Sequence, residues 1–439
     1  MAHITIVTSG TRGDVEPFIN FAISLKNIGF TVRLAAPIDF KEWILSHNLE
    51  YAQIGLEPIK NLLETSQKEN LLHFNIFKMR KMMAFFKQHI RDVLITTLPH
   101  ITDDLSKETD LIISHVSLPA SSDIAEAKNV PLIFVSTVPL APTKLEQNIM
   151  MPPRFGPFSG RFYNQLTHLP VRFSRVFYSA IYKELRKKLN LPSNSRFTPS
   201  FERAGHPVPL LHIYSSHLHP RPEDWPENAQ IIGFSFNDHE NEDWQPPEDL
   251  VNFLETGEAP IYIGFGSMIP GDEKELTDLI CKAVEKANVR ALISKGWANL
   301  TPNSKSDHIL PIGSMPHHRL FPYCKAVVHH GGAGTTAAGL RAACPTLICP
   351  FGFDQPFWGQ IIFDRGLGPQ AIKLKDLTVD NLAQNLKLLN TSTEFKNNAN
   401  RMAVKLNQED AFKNLMPYID KALNQSQIQK VQAEKINLD

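Results

Sequence analysis

The sequence predicts an α/β protein built from two Rossmann-like domains, each a doubly wound parallel sheet. Three observations predict it. The chain of 439 residues exceeds what one ordinary hydrophobic core serves. Short apolar runs alternate with helical sequence through both halves, the rhythm of a parallel sheet. A glycine-bearing turn directly follows a strand in each half, at residues 9–13 and again at 329–334, and open α/β sheets bind their ligands beyond the C-terminal ends of their strands.

In chain order, residues 4–8 read as a buried strand, 9–13 as a turn, and 18–28 as a helix with Phe18, Phe21, Ala22 and Leu25 on one face, ended by Gly29. Further strands are expected at 31–36, 111–113 and 132–135. Residues 73–98 interleave Phe74, Phe77, Met82, Phe86, Ile90 and Val93 with lysines and arginines. They suit a long core-facing helix with a solvated basic side, or a lid or interfacial helix touching lipid or a greasy acceptor. Residues 150–191 are also aromatic and basic, and are expected to form loops and helices around an acceptor cleft.

The stretch DHENEDWQPPE, residues 238–248, is acidic, carries two prolines and has almost no apolar content, so it reads as a linker. A first domain of residues 1–236 is thus expected, then a linker at 237–247 and a second domain at 248–405. Strands in the second domain are expected at 260–265, 289–294, 326–329 and 346–349. A helix within 406–439 is expected to cross back to the first domain and end in a frayed tail.

Composition narrows the function. The 45 basic residues balance the 45 acidic ones, so no global field gathers nucleic acid or a strongly charged membrane. The four cysteines show no paired metal spacing and fit reduced thiols in a cytoplasmic protein. No signal-peptide pattern opens the chain, and no apolar run is long enough to span a bilayer. Membrane contact, where it occurs, is expected to be peripheral.

The stretch VVHHGGAGTTAAGLRAACPTLICPFGFDQPFWG, residues 327–359, holds most of the readable chemistry. Its order is strand, glycine turn, small-residue helix (expected from residue 335), second strand, and then an acid-amide pair. Glycines let backbone N–H groups approach an anion, and the helix N-terminus adds positive potential, so the turn reads as a phosphate cradle. Gly332, Gly334 and Ala337 also fit the dinucleotide pattern, with Asp354 about 20 residues on. However, Asp354 and Gln355 lie in an irregular, glycine-containing segment, where such a pair binds several sugar hydroxyls more naturally than one ribose. A third reading gives the glycines only tight helix-sheet packing, but leaves the histidines and the acid-amide pair without a purpose. The adjacent pairs His317-His318 and His329-His330 point different ways and do not make a zinc site, so no metal is expected.

The segments HHGGAGTT and PFGFDQPFWG together resemble the C-terminal donor-binding signature of family 1 glycosyltransferases of the GT-B fold, closest to the sterol and antibiotic glucosyltransferase branch. TSGTRGDVEP near the N-terminus resembles that branch's opening motif, and IYIGFGSM and SKGWANL resemble it in the right order. The resemblance implies that His330, Gly332, Ala333, Gly334 and Thr335 hold the donor diphosphate, with Ser267 also touching the phosphates. Asp354 and Gln355 would bind hydroxyls of the transferred sugar. Asp14 matches the catalytic base of this branch, and the same carboxylate also suits capping of a helix beginning near Val15. Ser9, Gly10, Thr11, Arg12 and Gly13 would shape the turn facing the donor, with Arg12 pairing an acid or a phosphate. His115 lies where a second polar group faces the acceptor. Trp297 would stack on the nucleobase or pack against its surroundings, and Met315 would recognise the base through its backbone.

Two departures accompany the likeness. Plant members carry a tryptophan where this chain has Ser314, and a ribose-binding acid where it has Ala338, so recognition of the nucleoside differs and both UDP- and dTDP-sugars stay open. The N-terminal membrane-binding modules of the sterol enzymes are not expected here. The resemblance implies an inverting transferase, without a cofactor, that moves a hexose from a nucleotide-sugar co-substrate to a hydroxyl of a hydrophobic sterol, polyketide or phenolic. UDP-glucose is the expected donor, and closure about the linker would bring Asp14 to the sugar. A nucleotide-sugar epimerase or hydrolase on the same fold, or a non-catalytic nucleotide-sugar-binding protein, are the alternatives.

Overall fold

The computed structural model describes residues 2–56, 58, 61, 87–97, 109–151, 160–193, 199–236, 244–266, 273–295 and 307–436. The chain divides into two compact units. The first comprises Met1–Ser216, Arg221–Phe236 and Asp410–Asp439; the second comprises His217–Pro220 and Asn237–Glu409.

The first unit carries strands β1 (His3–Val7), β2 (Thr31–Ala36), β3 (Glu50–Gln53), β4 (Leu111–His115), β5 (Leu132–Ser136), a two-residue pair β6 (Glu202–Arg203) and β7 (His206–Pro207), then β8 (Leu210–His212) and β9 (Ala229–Ile231). Its helices are α1 (Arg12–Asn27), α2 (Lys41–Ser46), α3 (Ser121–Lys128), α4 (Arg161–Arg172) and α5 (Ser179–Lys188). Seven strands form one sheet in the order β3-β2-β1-β4-β5-β8-β9, each neighbouring pair parallel. Every residue of β1, β4 and β5 is buried, as a sheet covered on both faces requires. Thr5 and Ser114 are tolerated there because the first bonds Thr109 and the second bonds Ser121.

α1 starts at Arg12, earlier than the sequence suggested, because Thr11 and Asp14 form a reciprocal capping box. Its buried residues Val15, Phe18, Ile19, Ala22 and Leu25 recur at helical spacing and join one core with Ile4, Ile6, Leu34 and Ile113. Burying Phe18 alone, with no exposed surface, is worth about 2–3 kcal/mol. The second unit's chain then returns: helix α13 (Ala411–Ile436) sets Leu415 and Ile419, both without exposed surface, into this same core.

α4 inverts the usual pattern. Asn164, Thr167 and His168 face inward, and Phe162, Leu166 and Leu169 face outward with 76%, 44% and 41% of their surface exposed. The inward polar face is largely bonded: Asn164 donates to the Lys144 carbonyl at 3.0 Å, Thr167 accepts from the Asn148 N–H at 2.9 Å, and the His168 ring bonds the Glu146 carbonyl at 3.2 Å, while Asn164 Oδ1 is buried without a partner among the described residues. Of the helix expected at 73–98, residues 87–91 are helical and Asp92–Thr97 form a π-helix. The remainder lies outside the described residues, as does most of the expected linker.

The second unit carries β10 (Ile261–Gly264), β11 (Ala291–Ser294), β12 (Ile309–Ile312), β13 (Ala326–His329) and β14 (Thr346–Ile348). Its helices are α6 (Glu248–Glu255), α7 (Glu273–Ala287), α8 (His317–Leu320), α9 (Ala333–Arg341), α10 (Gln355–Asp364), α11 (Val379–Thr391) and α12 (Thr393–Leu406). The parallel sheet runs β12-β11-β10-β13-β14. Pro311 sits in β12 because that strand is an edge. Both units are therefore Rossmann-like, as the alternating sequence predicts.

The strand orders fix where function can sit. In the first sheet the order reverses direction between β1 and β4, and in the second between β10 and β13. The crevice outside the C-terminal ends of such a strand pair is the ligand site of open α/β sheets.

Candidate active site

At the first crevice, the chain leaves β1 through Thr8 to Thr11 and enters α1. Gly10 takes a φ of 138°, and a Cβ there would lie 2.3 Å from Asp14 Oδ2, so only glycine lets the turn fold over this carboxylate. The Thr11 N–H donates to Asp14 Oδ2 at 2.8 Å and the Thr11 hydroxyl donates to it at 3.1 Å. The Thr8 hydroxyl donates to the Asp14 carbonyl at 2.6 Å. Capping and presentation of Asp14 are thus one arrangement: Oδ2 is held by the turn, and the side chain keeps 30% of its surface exposed.

β4 ends at His115, in the same crevice. Its Nε2 lies 3.8 Å from Asp14 Oδ1, and its Nδ1 lies 2.7 Å from Ser117 Oγ, which donates to the Ser9 carbonyl at 3.0 Å. The edge of the Phe18 ring packs against the imidazole at 5.6 Å. Burial pushes the His115 pKa down, against the opposing pull of Asp14 and of the Ser9 carbonyl. Arg12 points elsewhere, pairing with Glu16 at 2.8 Å and lying over the Trp43 ring. Gly13 occupies the first turn of α1. Ser117 is absent from the sequence reading; its signal is only its place two residues beyond the histidine that ends the strand.

At the second crevice, β13 delivers His329 and His330. The His329 Nδ1 accepts from the Gly331 N–H at 3.0 Å, which fixes its tautomer and curls the turn. The His330 ring sits between two glycines: a Cβ on Gly266 would lie 3.0 Å from its Cε1, and one on Gly332 would lie 2.9 Å from its Nε2. Burial pushes the His330 pKa down to about 4, so the imidazole is neutral near pH 7. Its Nδ1 is buried with no hydrogen-bond partner among the described residues.

α9 opens at Ala333, two residues ahead of the expected start, with Gly332 as its cap. The first hydrogen bond of the helix is the Thr336 N–H to the Gly332 carbonyl at 3.0 Å. The N–H groups of Ala333, Gly334 and Thr335 therefore lack partners among the described residues, as the first turn of a helix leaves them. A Cβ on Gly334 would meet no atom of the described residues within 4 Å, so their packing does not demand this glycine.

Gln355 closes the same crevice. Gly331, at a φ of 99°, comes so near it that a Cβ would lie 3.2 Å from Gln355 Cβ. The Gln355 Oε1 accepts from the Phe351 N–H at 2.7 Å and the Gly352 N–H at 3.4 Å. Asp354 accepts at Oδ2 from the Trp358 indole N–H at 2.8 Å. The acid-amide pair is not in an irregular segment: Asp354 caps α10 and Gln355 is its first residue. Between the clamp and the acid, Phe353 takes a φ of 56° with 47% of its surface exposed. Met315 packs its side chain against the core beneath α8 and α9. Ser267 and Trp297 lie outside the described residues. Among the described residues no three His, Cys, Asp or Glu side chains gather as a metal site.

Both halves of the chain match known protein families. Residues 4–144 match the glycosyltransferase family 28 N-terminal domain, and residues 297–414 match the erythromycin biosynthesis protein CIII-like C-terminal domain. The chain is 32% identical over 427 residues to sterol 3-beta-glucosyltransferase UGT80A2 of Arabidopsis thaliana, a match covering 93% of this chain. It spans 63% of that relative's length. Among solved structures, the glycotransferase of kitacinnamycin aligns with a TM-score of 0.67 at 14% identity, covering 96% of this chain and 98% of that one. The glycosyltransferase VinC in complex with dTDP aligns with a TM-score of 0.64 at 17% identity, covering 96% and 100%.

Proposed function

We propose, for a chain that belongs to the GT-B glycosyltransferases of the sterol and antibiotic branch, that it transfers a hexose from a nucleoside diphosphate sugar to a hydroxyl of an apolar small molecule. Glucose is the first candidate sugar, and the anomeric carbon is inverted. One observation carries the reading: each sheet has polar groups at its switch point, a carboxylate in the first unit and, in the second, a glycine turn whose helix N–H groups have no partner among the described residues.

The chemistry follows from those groups. As the anomeric C–O bond breaks, negative charge builds on the leaving diphosphate. The N–H groups of Ala333, Gly334 and Thr335, the N-terminus of α9 and the neutral imidazole of His330 are preorganised donors for that charge. Turnover is therefore expected to persist in a metal chelator. Asp354 and Gln355 hold sugar hydroxyls, and the amide nitrogen of Gln355, which makes no hydrogen bond among the described residues, is the donor left over once Oε1 clamps the turn. Asp14 takes the acceptor's proton while the new C–O bond forms, since an alcohol acidifies only as it attacks.

The exposed stripe of Phe162, Leu166 and Leu169 on α4 supports an apolar partner, either the acceptor or the lipid surface that carries it. It speaks against a small polar cleft, which an epimerase or hydrolase would need. Four free cysteines, three of them buried, support a reducing compartment, the cytoplasm. The donor nucleoside is uridine or thymidine: one relative is a sterol 3-beta-glucosyltransferase, and one solved structure, VinC, holds dTDP.

The test is incubation with UDP-glucose or dTDP-glucose and a panel of hydrophobic alcohols, following glycoside by mass. Asp14→Asn keeps an oxygen for the capping box, so it should fold and bind nucleotide while transfer falls by ~10³-fold. Unchanged turnover would remove Asp14 as base, and sugar release independent of any alcohol would favour the hydrolase.

A further inference from the structure

We propose that His329 is the positioning residue of the donor turn. Its ring holds the Gly331 N–H, and through Gly331 it sets the two groups that receive the diphosphate, His330 on one side and the N-terminus of α9 on the other. This deepens the reading of the turn as a diphosphate cradle and rests on it.

His329 ends β13 with no exposed surface, between Gly264 of β10 and Ile348 of β14, and its carbonyl accepts from the Cys349 N–H at 2.8 Å. The rest of that strand is Ala326, Val327 and Val328, so an imidazole there breaks the apolar run of a doubly covered strand. The state of the ring follows from its partner. A backbone N–H can only donate, so the 3.0 Å contact from Gly331 requires a lone pair on Nδ1. Burial keeps the ring neutral, with His330 and His317 adding to the effect. A neutral ring has one hydrogen, and here it is on Nε2. No described residue accepts it. A buried donor without a partner is a cost that an apolar residue of similar size would avoid. The acceptor at Nδ1 is what the histidine supplies and such a residue lacks.

That acceptor decides where Gly331 sits. At a φ of 99°, Gly331 is wedged on its other side: a Cβ on it would lie 2.6 Å from Ile348 Cγ2 and 3.2 Å from Gln355 Cβ. With its N–H tied to the His329 ring as well, the chain turns at one fixed place. Its neighbours take their positions from it. The His330 ring fits where Gly266 and Gly332 have no Cβ, and Gly332 caps α9, whose Ala333, Gly334 and Thr335 N–H groups have no partner among the described residues. Without the His329 acceptor, the buried Gly331 N–H would be orphaned and the turn would reorganise to satisfy it. The diphosphate donors on both sides of Gly331 would move with it.

Leucine and asparagine separate this role from packing. They have nearly the same shape, and only asparagine puts an oxygen where Nδ1 was. At a site with no exposed surface, packing alone favours leucine. Holding Gly331 favours asparagine. Calorimetric titration of the wild type and both variants with UDP and with dTDP reads the difference. We expect His329→Leu to bind about 10-fold more weakly than the wild type or worse, the loss of one hydrogen bond, and His329→Asn to stay within about 3-fold of it. Denaturant midpoints on the same preparations identify a variant that fails to fold. In parallel, ¹⁵N-labelled histidine reads the His329 ring in the wild type, assigned by its loss in His329→Asn, with Nδ1 bare and Nε2 protonated expected. A hydrogen on Nδ1 would overturn the proposal, and so would a leucine variant that binds nucleotide as well as the asparagine variant does. Should leucine prevent folding, an asparagine variant that has lost nucleotide affinity would still overturn it. A wild-type protein that binds neither nucleotide would instead remove the diphosphate reading of the turn, and the proposal with it.

Discussion

The indole N–H of Trp358 donates to Asp354 Oδ2 at 2.8 Å, one turn further along α10. Trp358 has no exposed surface, so a buried ring anchors a carboxylate at the helix cap. Trp358→Phe keeps most of the packing and deletes this donor. We expect the KM for nucleotide-sugar to rise about 10-fold, the equivalent of one hydrogen bond to a charged group, with discrimination between glucose and galactose donors weakened. Steady-state kinetics with both sugars checks it; unchanged discrimination would take Asp354 out of sugar recognition.

Gly334 separates packing from ligand approach. It lies inside α9 with open space where a Cβ would go, so Gly334→Ala should stabilise the protein by about 0.5–1 kcal/mol. If the diphosphate approaches the backbone there, the same methyl group should lower nucleotide affinity at least 10-fold. Calorimetric titration with UDP and dTDP, together with a denaturant midpoint, reads both effects. A more stable variant with normal affinity would refute the phosphate role of this residue.

Phe353 is strained in the opposite sense. A phenylalanine at a φ of 56° costs about 1–2 kcal/mol, and its half-exposed ring recovers little of that by packing. Phe353→Gly should therefore raise stability by about 1 kcal/mol while lowering turnover, the pattern of strain kept at a functional turn. Equilibrium unfolding and initial rates on one preparation decide it. A variant no more stable than the parent would show that the turn carries no strain.

Acid should loosen both units. Burial pushes the His212 pKa down to about 3 and His329 well below its ordinary value, and neither has exposed surface. The folded-state values lie below the unfolded value of about 6.5, so between them the unfolded chain binds protons that the folded chain refuses. Stability is then held above pH 6.5 and falls as pH drops through the window below it. Each imidazole contributes a slope of about 1.4 kcal/mol per pH unit. Urea melts at pH 7, 6 and 5 should show a steep loss, and a flat profile would mean these rings are not held neutral.

The sequence disclosed strands where burial on both faces produced a nearly unbroken apolar run of four or five residues, as in β1, β4, β5, β10 and β13. It hid β3, whose residues EYAQ are only half-buried, and β8 and β9, three residues each. It also hid β12, where Pro311 argues against a strand unless that strand is an edge. In the site, glycines marked both turns, but their purposes differ. Gly10 makes room for Asp14 and Gly266 for His330, and only the folded positions separate these from Gly334, which makes room for nothing among the described residues. Ser117 and Trp358 escaped because each is marked only by its hydrogen bond to another side chain, His115 and Asp354. Trp358 was the more legible of the two, lying four residues beyond Asp354 on a helix.

Leu415 and Ile419 complete the core that Phe18 and Ile19 begin, although residues 237–409 make up the other unit. On the ribosome this ordering imposes a schedule. The second unit is one nearly continuous stretch and can finish folding as it emerges, whereas the first waits with an open apolar face until α13 has been synthesised. During that interval the early unit carries exposed apolar surface, the condition under which folding chains aggregate or are held by chaperones.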